Sequence, residues 1–283
     1  MIFDKRITPI RHDIAASEYK GFLKNRKFIK GKIYYVKSNF SNLLSSNKKQ
    51  LISQLLYGEP VKVFEIKKGY AWLQSLRDDY VGYTLVDNLQ VTKIVPSHKI
   101  ISLRCLVYKL PSIKSIPVSE LSFNSLIETT GTIKNKYFYK IKNLGWCHKQ
   151  DIIKLNTTNL DLVMLAKKYL HTPYLWGGRN SIGIDCSGFI QIVHRLIGIE
   201  LPRDALEQQD FGETVTFEDK KSGDLAFFQN VNNKIIHVGI IGTDSKIIHA
   251  SGRVRVDLLD KTGILDTERS LTTHFLHSIK RIK

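Results

Sequence analysis

Cys186 is the residue of this 283-residue chain whose position most directly suggests chemistry. It lies in the stretch YLWGGRNSIGIDCSGFIQIVHRLIG, where a loop rich in glycine and aromatic residues gives way to an apolar run with helical spacing. Asp185 is a favourable N-cap residue, which places Cys186 in the first turn of the predicted helix. Free N–H groups in that turn can lower a cysteine pKa, whereas the neighbouring carboxylate opposes the effect. The position predicts a nucleophile that needs a nearby imidazolium.

Two histidines on predicted strands are the candidate partners of this cysteine. His237 lies in IIHVGII and His249 in KIIHASG, and the turn signal GTDS separates them. A three-residue loop at 242–244 would place His237 directly opposite His249, whereas a two-residue loop at 243–244 would put them on opposite faces. We predict the odd-numbered loop, or a bulge of the same effect, with His237 as general base and His249 fixing its tautomer. Structural or solvated roles are predicted for His171, His194 and His274.

An oxyanion formed during acyl transfer needs hydrogen-bond donors. The backbone N–H of Cys186 is one candidate by position, and the Tyr174 hydroxyl on the preceding loop is another. The other cysteines, Cys105 and Cys147, are predicted to be small buried residues in strands. The odd count and the lack of CxxC spacing argue against a disulfide framework and a zinc site. No metal or cofactor is expected.

The pattern of predicted elements changes near residue 158. Residues 158–283 show helical segments followed by strands, which is an α+β pattern. Residues 1–157 are short strands broken by turns, and we predict two small all-β barrels at 31–90 and 91–157. Residues 1–30 are charged and weakly periodic, and are predicted to form an N-terminal arm with a helix as its candidate structure.

Charge is distributed unevenly between these two parts. Residues 1–157 hold 27 Lys and Arg against 11 Asp and Glu, whereas residues 158–283 hold 16 against 15. A basic front half suits an anionic partner such as an acidic membrane face or the cell wall. The lysines are scattered and no nucleic-acid motif is present, so nucleic acid is not an expected partner. There is no transmembrane run and no secretory signal as written, which predicts a location in the cytoplasm, or in the periplasm or envelope after removal of a leader. A monomer is expected.

Several motifs then carry a resemblance to a known family. TPYLWGG, GIDCSGF, LPRD, SGDLAFF, HVGI and IIHASG follow the order and spacing of NlpC-type, papain-like cysteine peptidases of bacterial cell-wall peptides. SQLLYGE, DDYVGYT and YKLPSIKSIPVSELSFNS resemble the two SH3-like domains that precede this catalytic domain in γ-D-glutamyl-L-diamino acid endopeptidases. The resemblance implies Cys186 as nucleophile, His237 as base and His249 as orienting residue.

The resemblance also implies a substrate, a murein peptide with a free N-terminal L-Ala. In similar enzymes the first SH3-like domain blocks part of the cleft, and the amine-binding residues correspond here to Glu59, Tyr80 and Asp204. Ala205 stands where the family usually has a serine that helps bind the γ-D-Glu carboxylate. Ser187 or Arg203 is the alternative donor. The expected substrate-binding set is Glu59, Tyr80, Asp185, Ser187 and Asp204.

Competing functions remain open at this point. The chain could instead cut intact, glycan-linked stem peptides, or serve as a non-catalytic wall-binding protein dominated by its basic half. A thiol-dependent acyltransferase on the same scaffold is a further hypothesis, against which the SH3-like segments argue. Retained turnover after loss of the Cys186 thiol would reject the cysteine peptidase.

Overall fold

The computed structural model describes residues 3–266 and 271–282. The chain divides into two compact units, Met1–Leu155 and Asn156–Lys283. The first unit is built from strands and three 3-10 turns, and the second combines three α-helices with strands. The chain as described is therefore mostly β.

Short strands make up the first unit. In chain order they are β1 (Ile14–Ala16), β2 (Lys27–Ile29), β3 (Lys32–Val36), β4 (Phe40–Leu44), β5 (Leu51–Leu56), β6 (Pro60–Lys67), β7 (Tyr70–Ser75), β8 (Val81–Leu85), β9 (Leu89–Gln90), β10 (His98–Ile100), β11 (Arg104–Tyr108), β12 (Pro117–Ser122), β13 (Leu126–Ile127), β14 (Thr129–Lys134), β15 (Phe138–Ile141), β16 (Gly145–His148) and β17 (Ile152–Lys154). The 3-10 turns are Ser17–Tyr19, Val86–Asn88 and Lys149–Asp151.

Between residues 3 and 30, the N-terminal arm forms two strands and one 3-10 turn and contains no α-helix. β1 and β2 pair in parallel, and Ile14 and Ala16 pack with Phe64 and Trp72 in one small core. The period-2 placement of Ile14 and Ala16 on one side of β1 is a strand pattern, which explains why a helix does not form. The arm is thus part of the first β assembly.

Two β assemblies follow one another in this unit. The first is a seven-stranded sheet in the order β5-β4-β8-β7-β6-β3-β9. The second contains a three-stranded sheet, β13-β10-β17, and a five-stranded sheet, β12-β11-β16-β15-β14. Cys105 and Cys147 are free thiols buried in the second core, which confirms the packing role predicted for them.

The second unit begins with short helices and continues with strands. Its elements are α1 (Leu162–Lys167), α2 (Cys186–Leu196), α3 (Ala205–Gln208), β18 (Glu213–Val215), β19 (Leu225–Gln229), β20 (Ile235–Ile241), β21 (Lys246–Ser251), β22 (Arg253–Leu259), β23 (Gly263–Asp266) and β24 (Leu271–Arg281). The sheet order is β18-β24-β19-β20-β21-β22-β23, and β23 also pairs with β24. The strands from β19 to β24 therefore close into a ring around an apolar core that includes Phe228, Ile247 and Ile264.

Candidate active site

Cys186 is the first residue of α2 and is held at its N-terminus by a local cap. The Asp185 side chain accepts a hydrogen bond from the Gly188 N–H at 2.7 Å, as an N-cap residue should. A Cβ at position 188 would lie 2.5 Å from the Gly178 carbonyl oxygen, so this turn requires glycine. The backbone groups of Ser187 and Val238 act to lower the pKa of the Cys186 thiol. α2 packs against β20, the strand that carries His237.

The Asp185 carboxylate is buried and fully engaged. Arg203 donates to it through Nη1 at 3.0 Å and Nη2 at 2.6 Å, and the Gly177 N–H donates at 2.8 Å. Arg203 Nη1 also donates to the Ser187 hydroxyl at 3.0 Å. Both ions are more than nine-tenths buried, and burying a charge is tolerated when it is paired in this way. Asp185 and Ser187, both predicted to bind substrate, are thus linked to the arginine of LPRD.

The β20–β21 hairpin brings the two predicted histidines onto one face. Its loop has three residues, 243–245, between Gly242 and Lys246, whose N–H and C=O groups bond at 2.8 Å. The predicted odd-numbered loop is confirmed, but it begins one residue later than expected. His249 consequently faces Gly239, and the prediction that it lies directly opposite His237 is wrong. The two imidazoles meet diagonally, with His237 Nε2 and His249 Nδ1 at 2.9 Å.

Gly239 makes room for this diagonal contact. A Cβ built at position 239 would lie 2.9 Å from the His249 Cβ and 2.8 Å from a side-chain carbon of Ile247. Real side chains do not approach so closely. The glycine of HVGI is therefore a steric requirement of the histidine pair, and not a feature of the turn.

Asp257 extends the histidine pair and was missed in the sequence. His249 Nε2 and the Asp257 Oδ2 are 2.9 Å apart, and both side chains are about 1% exposed. Arg255 donates to the other Asp257 oxygen at 2.8 Å and to Asp266 at 2.9 Å. The alternation in VRVD puts Arg255 and Asp257 on one face of a strand, which was the available sequence signal. The β21–β22 register then places Arg255 opposite His249, and so brings Asp257 to the same face as the histidines.

The hydrogen-bond chain defines the imidazole tautomers. An ionised carboxylate only accepts, so Asp257 takes the proton on His249 Nε2 and leaves Nδ1 as an acceptor. His249 Nδ1 then accepts from His237 Nε2, and the remaining nitrogen of His237, Nδ1, carries a lone pair. This assignment leaves His237 able to take a proton at Nδ1.

Both members of the candidate nucleophile–base pair are neutral at rest. Burial, followed by the Asp185 charge, raises the pKa of Cys186 to about 12, and the N–H donors of the first turn only partly oppose this. Burial holds the pKa of His237 well below its usual value, and a positive charge on His249 or His274 would lower it further. Of the two opposing effects expected at this position, burial and the Asp185 charge outweigh the N–H groups of the first turn. Proton transfer from the thiol therefore has to accompany its attack on the substrate.

His274 belongs to this site although its sequence neighbours did not indicate it. Its ring centroid is 4.3 Å from that of His237, and burial lowers its pKa to about 4. It borders a cavity of about 540 Å³ in the second unit, a volume typical of ligand sites. Arg253, Arg255 and Asp266 also line this cavity. The cavity thus offers both signs of charge beside the histidines.

Tyr174 and Asp204 are placed by the loops around α2 and α3. Tyr174 is half-buried, its N–H donates to the Gly252 carbonyl at 2.9 Å, and burial followed by the charges of Cys186 and Asp185 raises its phenol pKa. It stays a protonated donor within electrostatic range of Cys186. Asp204 occupies the N-cap position of α3, but its side chain makes no capping bond. Ala205 is buried at the start of that helix.

Glu59 and Tyr80 both lie in the first unit. Glu59 is buried in the turn between β5 and β6, where its Oε2 accepts from the Leu56 N–H at 3.0 Å. Tyr80 is buried in the core of the first β assembly, just before β8. Glu59 therefore supports its own turn, and its predicted role in binding the substrate amine remains a proposal.

Metal clusters and membrane-spanning helices are both missing from the described residues. Within residues 3–266 and 271–282, no three His, Cys, Asp or Glu side chains are grouped so as to hold a metal ion. In the same residues, no helix combines the length and apolar character needed to cross a membrane.

Each of the two units contains a segment that matches a known protein family. Residues 171–271 match the NlpC/P60 family, and residues 43–89 match the bacterial dipeptidyl-peptidase SH3 domain. A γ-D-glutamyl-L-lysine dipeptidyl-peptidase of Bacillus subtilis is 30% identical over 217 residues, which cover 70% of this chain and 71% of that protein. Dipeptidyl-peptidase 6 of Lysinibacillus sphaericus is 26% identical, over 79% of this chain and 90% of the relative.

Solved structures support the fold. A crystal structure of an NlpC/P60 family protein from Bacillus cereus superimposes with a TM-score of 0.74 at 20% identity, covering 88% of this chain and 99% of that one. The matches together confirm the family resemblance predicted from the motifs, and they establish an NlpC/P60 fold preceded by an SH3 domain.

Proposed function

This chain belongs to the NlpC/P60 family of peptidases, and on that premise we propose that it hydrolyses the bond between γ-D-glutamate and the L-diamino acid of murein peptides with a free N-terminal L-Ala. The observation that carries the proposal is the buried chain of hydrogen bonds from His237 through His249 to Asp257, whose two histidine strands pack against the helix that begins at Cys186. Buried polar groups in such a chain orient a base for proton transfer.

The first half-reaction follows from this geometry. His237 Nδ1 takes the Cys186 proton as the sulfur attacks the γ-carbonyl carbon of D-Glu. The oxyanion is held by the Cys186 N–H and the Tyr174 hydroxyl. The C–N bond breaks as His237 returns the proton to the leaving amine, and a thioester to Cys186 remains.

The second half-reaction uses the same base. Water gives a proton to His237 Nδ1 and attacks the thioester carbonyl. The sulfur leaves, takes the proton back, and the dipeptide L-Ala-γ-D-Glu is released. Asp257 stabilises the imidazolium of each step through His249, and Arg255 orients the Asp257 carboxylate by pairing with it.

Two groups of polar residues are proposed to recognise the L-Ala-γ-D-Glu part of the substrate. Glu59, Tyr80 and Asp204 bind the ammonium of L-Ala, by resemblance to the family, and Asp185, Ser187 and Arg203 form the polar wall near the γ-D-Glu carboxylate. With Ala205 in place of the usual serine, the Ser187 hydroxyl and Arg203 are the remaining donors on that side.

The charged residues that line the cavity beside His274 suit the binding of a zwitterionic leaving group. Arg253 and Arg255 suit the carboxylate of a diamino acid, and Asp266 suits its side-chain amine. A peptide with a free L-Ala amine has been released from its glycan, so we propose a role in murein peptide turnover, in the cytoplasm or at the cell envelope. We further propose that the second β assembly is a second SH3-like domain.

Product analysis by mass spectrometry tests the proposal. The free tripeptide L-Ala-γ-D-Glu-L-Lys, its N-acetylated form and intact sacculi are incubated side by side with the protein. We expect cleavage of the free tripeptide alone, and no turnover by a Cys186→Ala variant that keeps the wild-type melting temperature. Cys105→Ala is the matched control and should retain activity.

Each contrary result has a distinct meaning. Release of peptides from sacculi would favour an endopeptidase on intact stems. Cleavage of the N-acetylated peptide would remove the amine-recognition part of the proposal. Turnover by Cys186→Ala would reject the cysteine mechanism.

A further inference from the structure

A groove on the first β assembly gathers basic side chains that the proposed catalysis does not use. It encloses about 720 Å³, and its walls come from the N-terminal arm, the β4–β5 turn and the β6–β7 hairpin. The basic residues that line it are Lys5, Arg6, Arg11, His12, Lys48, Lys67 and Lys68. Glu65 is the one acidic residue among the described residues lining it. Three separate segments therefore bring positive charge to one place.

The arginines of the groove are compensated, whereas its lysines are not. Arg11 pairs with Glu65 and with Asp13, each at 2.6 Å, and Arg6 pairs with Asp4 at 2.7 Å. In the part of the chain that the structure describes, no carboxylate forms an ion pair with the groove's lysines, which are Lys5, Lys48, Lys67 and Lys68. The lysines thus supply the net positive charge of the groove.

Two cations of the groove lie over aromatic rings. Lys48 Nζ lies 4.5 Å from the ring centre of Tyr70 and 5.0 Å from that of Tyr83. The Arg11 guanidinium lies 4.8 Å from the ring centre of Trp72, which is buried. Such contacts fix a cation over a ring. Lys48 and Arg11 each occupy a ring face on which a base would stack, which disfavours single-stranded nucleic acid as the ligand.

We propose that this groove binds a base-free phosphodiester polyanion of the poly(polyol phosphate) type. Lysine ammonium groups act as point charges for phosphate, and cations spread over three segments suit a chain of repeated phosphates better than a single anion. The site lies within the first unit and its binding does not depend on catalysis. It goes beyond the proposed peptidase function and locates a specific anion-binding surface within the basic half of the chain.

Affinity for purified poly(glycerol phosphate) tests the site. The full chain is titrated with the polymer by calorimetry at 50 and 200 mM salt, with a neutral dextran and single-stranded DNA of equal charge as comparison ligands. We expect binding to poly(glycerol phosphate) that weakens at the higher salt concentration, because surface charge contacts are screened. DNA should bind more weakly, and dextran should not bind.

A charge-matched pair of variants separates the groove from general basicity. The groove variant carries Lys48→Gln, Lys67→Gln and Lys68→Gln. The control variant carries Lys109→Gln, Lys114→Gln and Lys136→Gln, three exposed lysines of the second β assembly. Each surface contact is worth about two- to threefold at low salt, so the groove variant should bind roughly tenfold more weakly. The control should stay within about twofold of the wild type, since its lysines contact no polymer.

A labelling experiment on the unaltered protein guards against folding effects in the variants. Acetylation of lysines is measured with and without the polymer, and Lys48, Lys67 and Lys68 should be protected while Lys109 and Lys114 are not. The proposal would be overturned by an equal loss of affinity in both variants or by uniform protection of the lysines. It would equally be overturned if the polymer did not bind at 50 mM salt, or if DNA bound as tightly as the polymer or more tightly.

Discussion

Replacing Asp257 by asparagine should reverse the tautomers of both histidines. An amide NH₂ facing the Arg255 guanidinium would set donor against donor, so in the Asp257→Asn variant the amide oxygen turns toward Arg255 and the amide NH₂ turns toward His249. His249 Nε2 then has to accept, and its proton moves to Nδ1. His237 Nε2 must accept in turn, which leaves a proton on His237 Nδ1. A base protonated at that nitrogen cannot take the Cys186 proton.

The expected fall in kcat follows from the rate enhancement that general-base catalysis provides. General-base catalysis is worth about 10²- to 10⁴-fold, and the variant retains a minority of the correct tautomer, so we expect kcat to fall by about 100-fold or more. KM should change little, because Asp257 is buried and lies behind His249. Release of L-Ala-γ-D-Glu is followed by chromatography from pH 5 to 9, and ¹⁵N NMR reports which nitrogen of each imidazole is protonated.

Two further variants separate a tautomer effect from structural damage. Asp266→Asn removes the charge of the other carboxylate partner of Arg255 and leaves Asp257 in place. The imidazole tautomers should stay as in the wild type and kcat should fall far less than in Asp257→Asn, whereas KM should rise because Asp266 lines the cavity proposed for the diamino acid. Adding Arg255→Gln to Asp257→Asn frees the amide oxygen to face His249 again and should restore part of kcat. A kcat near the wild-type value in Asp257→Asn, or unchanged imidazole tautomers, would refute the reasoning.

Three other outcomes follow from the site and its surroundings. Because the pKa of Cys186 is raised to about 12, alkylation of its thiol by iodoacetamide should keep accelerating up to pH 9 or above; a plateau near pH 6 would indicate a resting thiolate instead. Gly239→Ala places a methyl group against His249 and should lower the free energy of unfolding by about 1–3 kcal/mol and reduce kcat; a variant equal to wild type in urea denaturation and turnover would contradict the close approach. Burial lowers the pKa values of His194 and His274 to about 4. The unfolded chain therefore binds more protons than the folded one between pH 4 and 6.5, and the free energy of unfolding should decrease as the pH falls through that range. For His194 the decrease between pH 7 and 4.5 should be about 2.5 kcal/mol. Urea denaturation at both pH values, with His194→Gln as comparison, checks this, and an equal pH dependence in the two proteins would count against it.

Local sequence was sufficient for much of the candidate site. The N-cap at Asp185, the start of a helix at Cys186 and the shared face of His237 and His249 all depend on interactions within a few residues. Caps and strand periodicity operate at that range, so they can be read from a short stretch of chain. Composition also showed the excess of Lys and Arg in residues 1–157. It did not show that several of these side chains line one groove.

The tertiary structure decided which groups meet and how they are charged. Whether His249 faces His237 or Gly239 depends on the residue at which the loop begins, and a shift by one changes the partner. Asp257 joins the histidines only through a second hairpin register, and Arg203 reaches Asp185 from 18 residues away in sequence. The raised pKa of Cys186 depends on burial, which a sequence does not specify. Short-range patterns determine caps and faces, whereas partners and protonation states depend on packing between distant segments, because desolvation and Coulomb interactions follow distance in space and not along the chain.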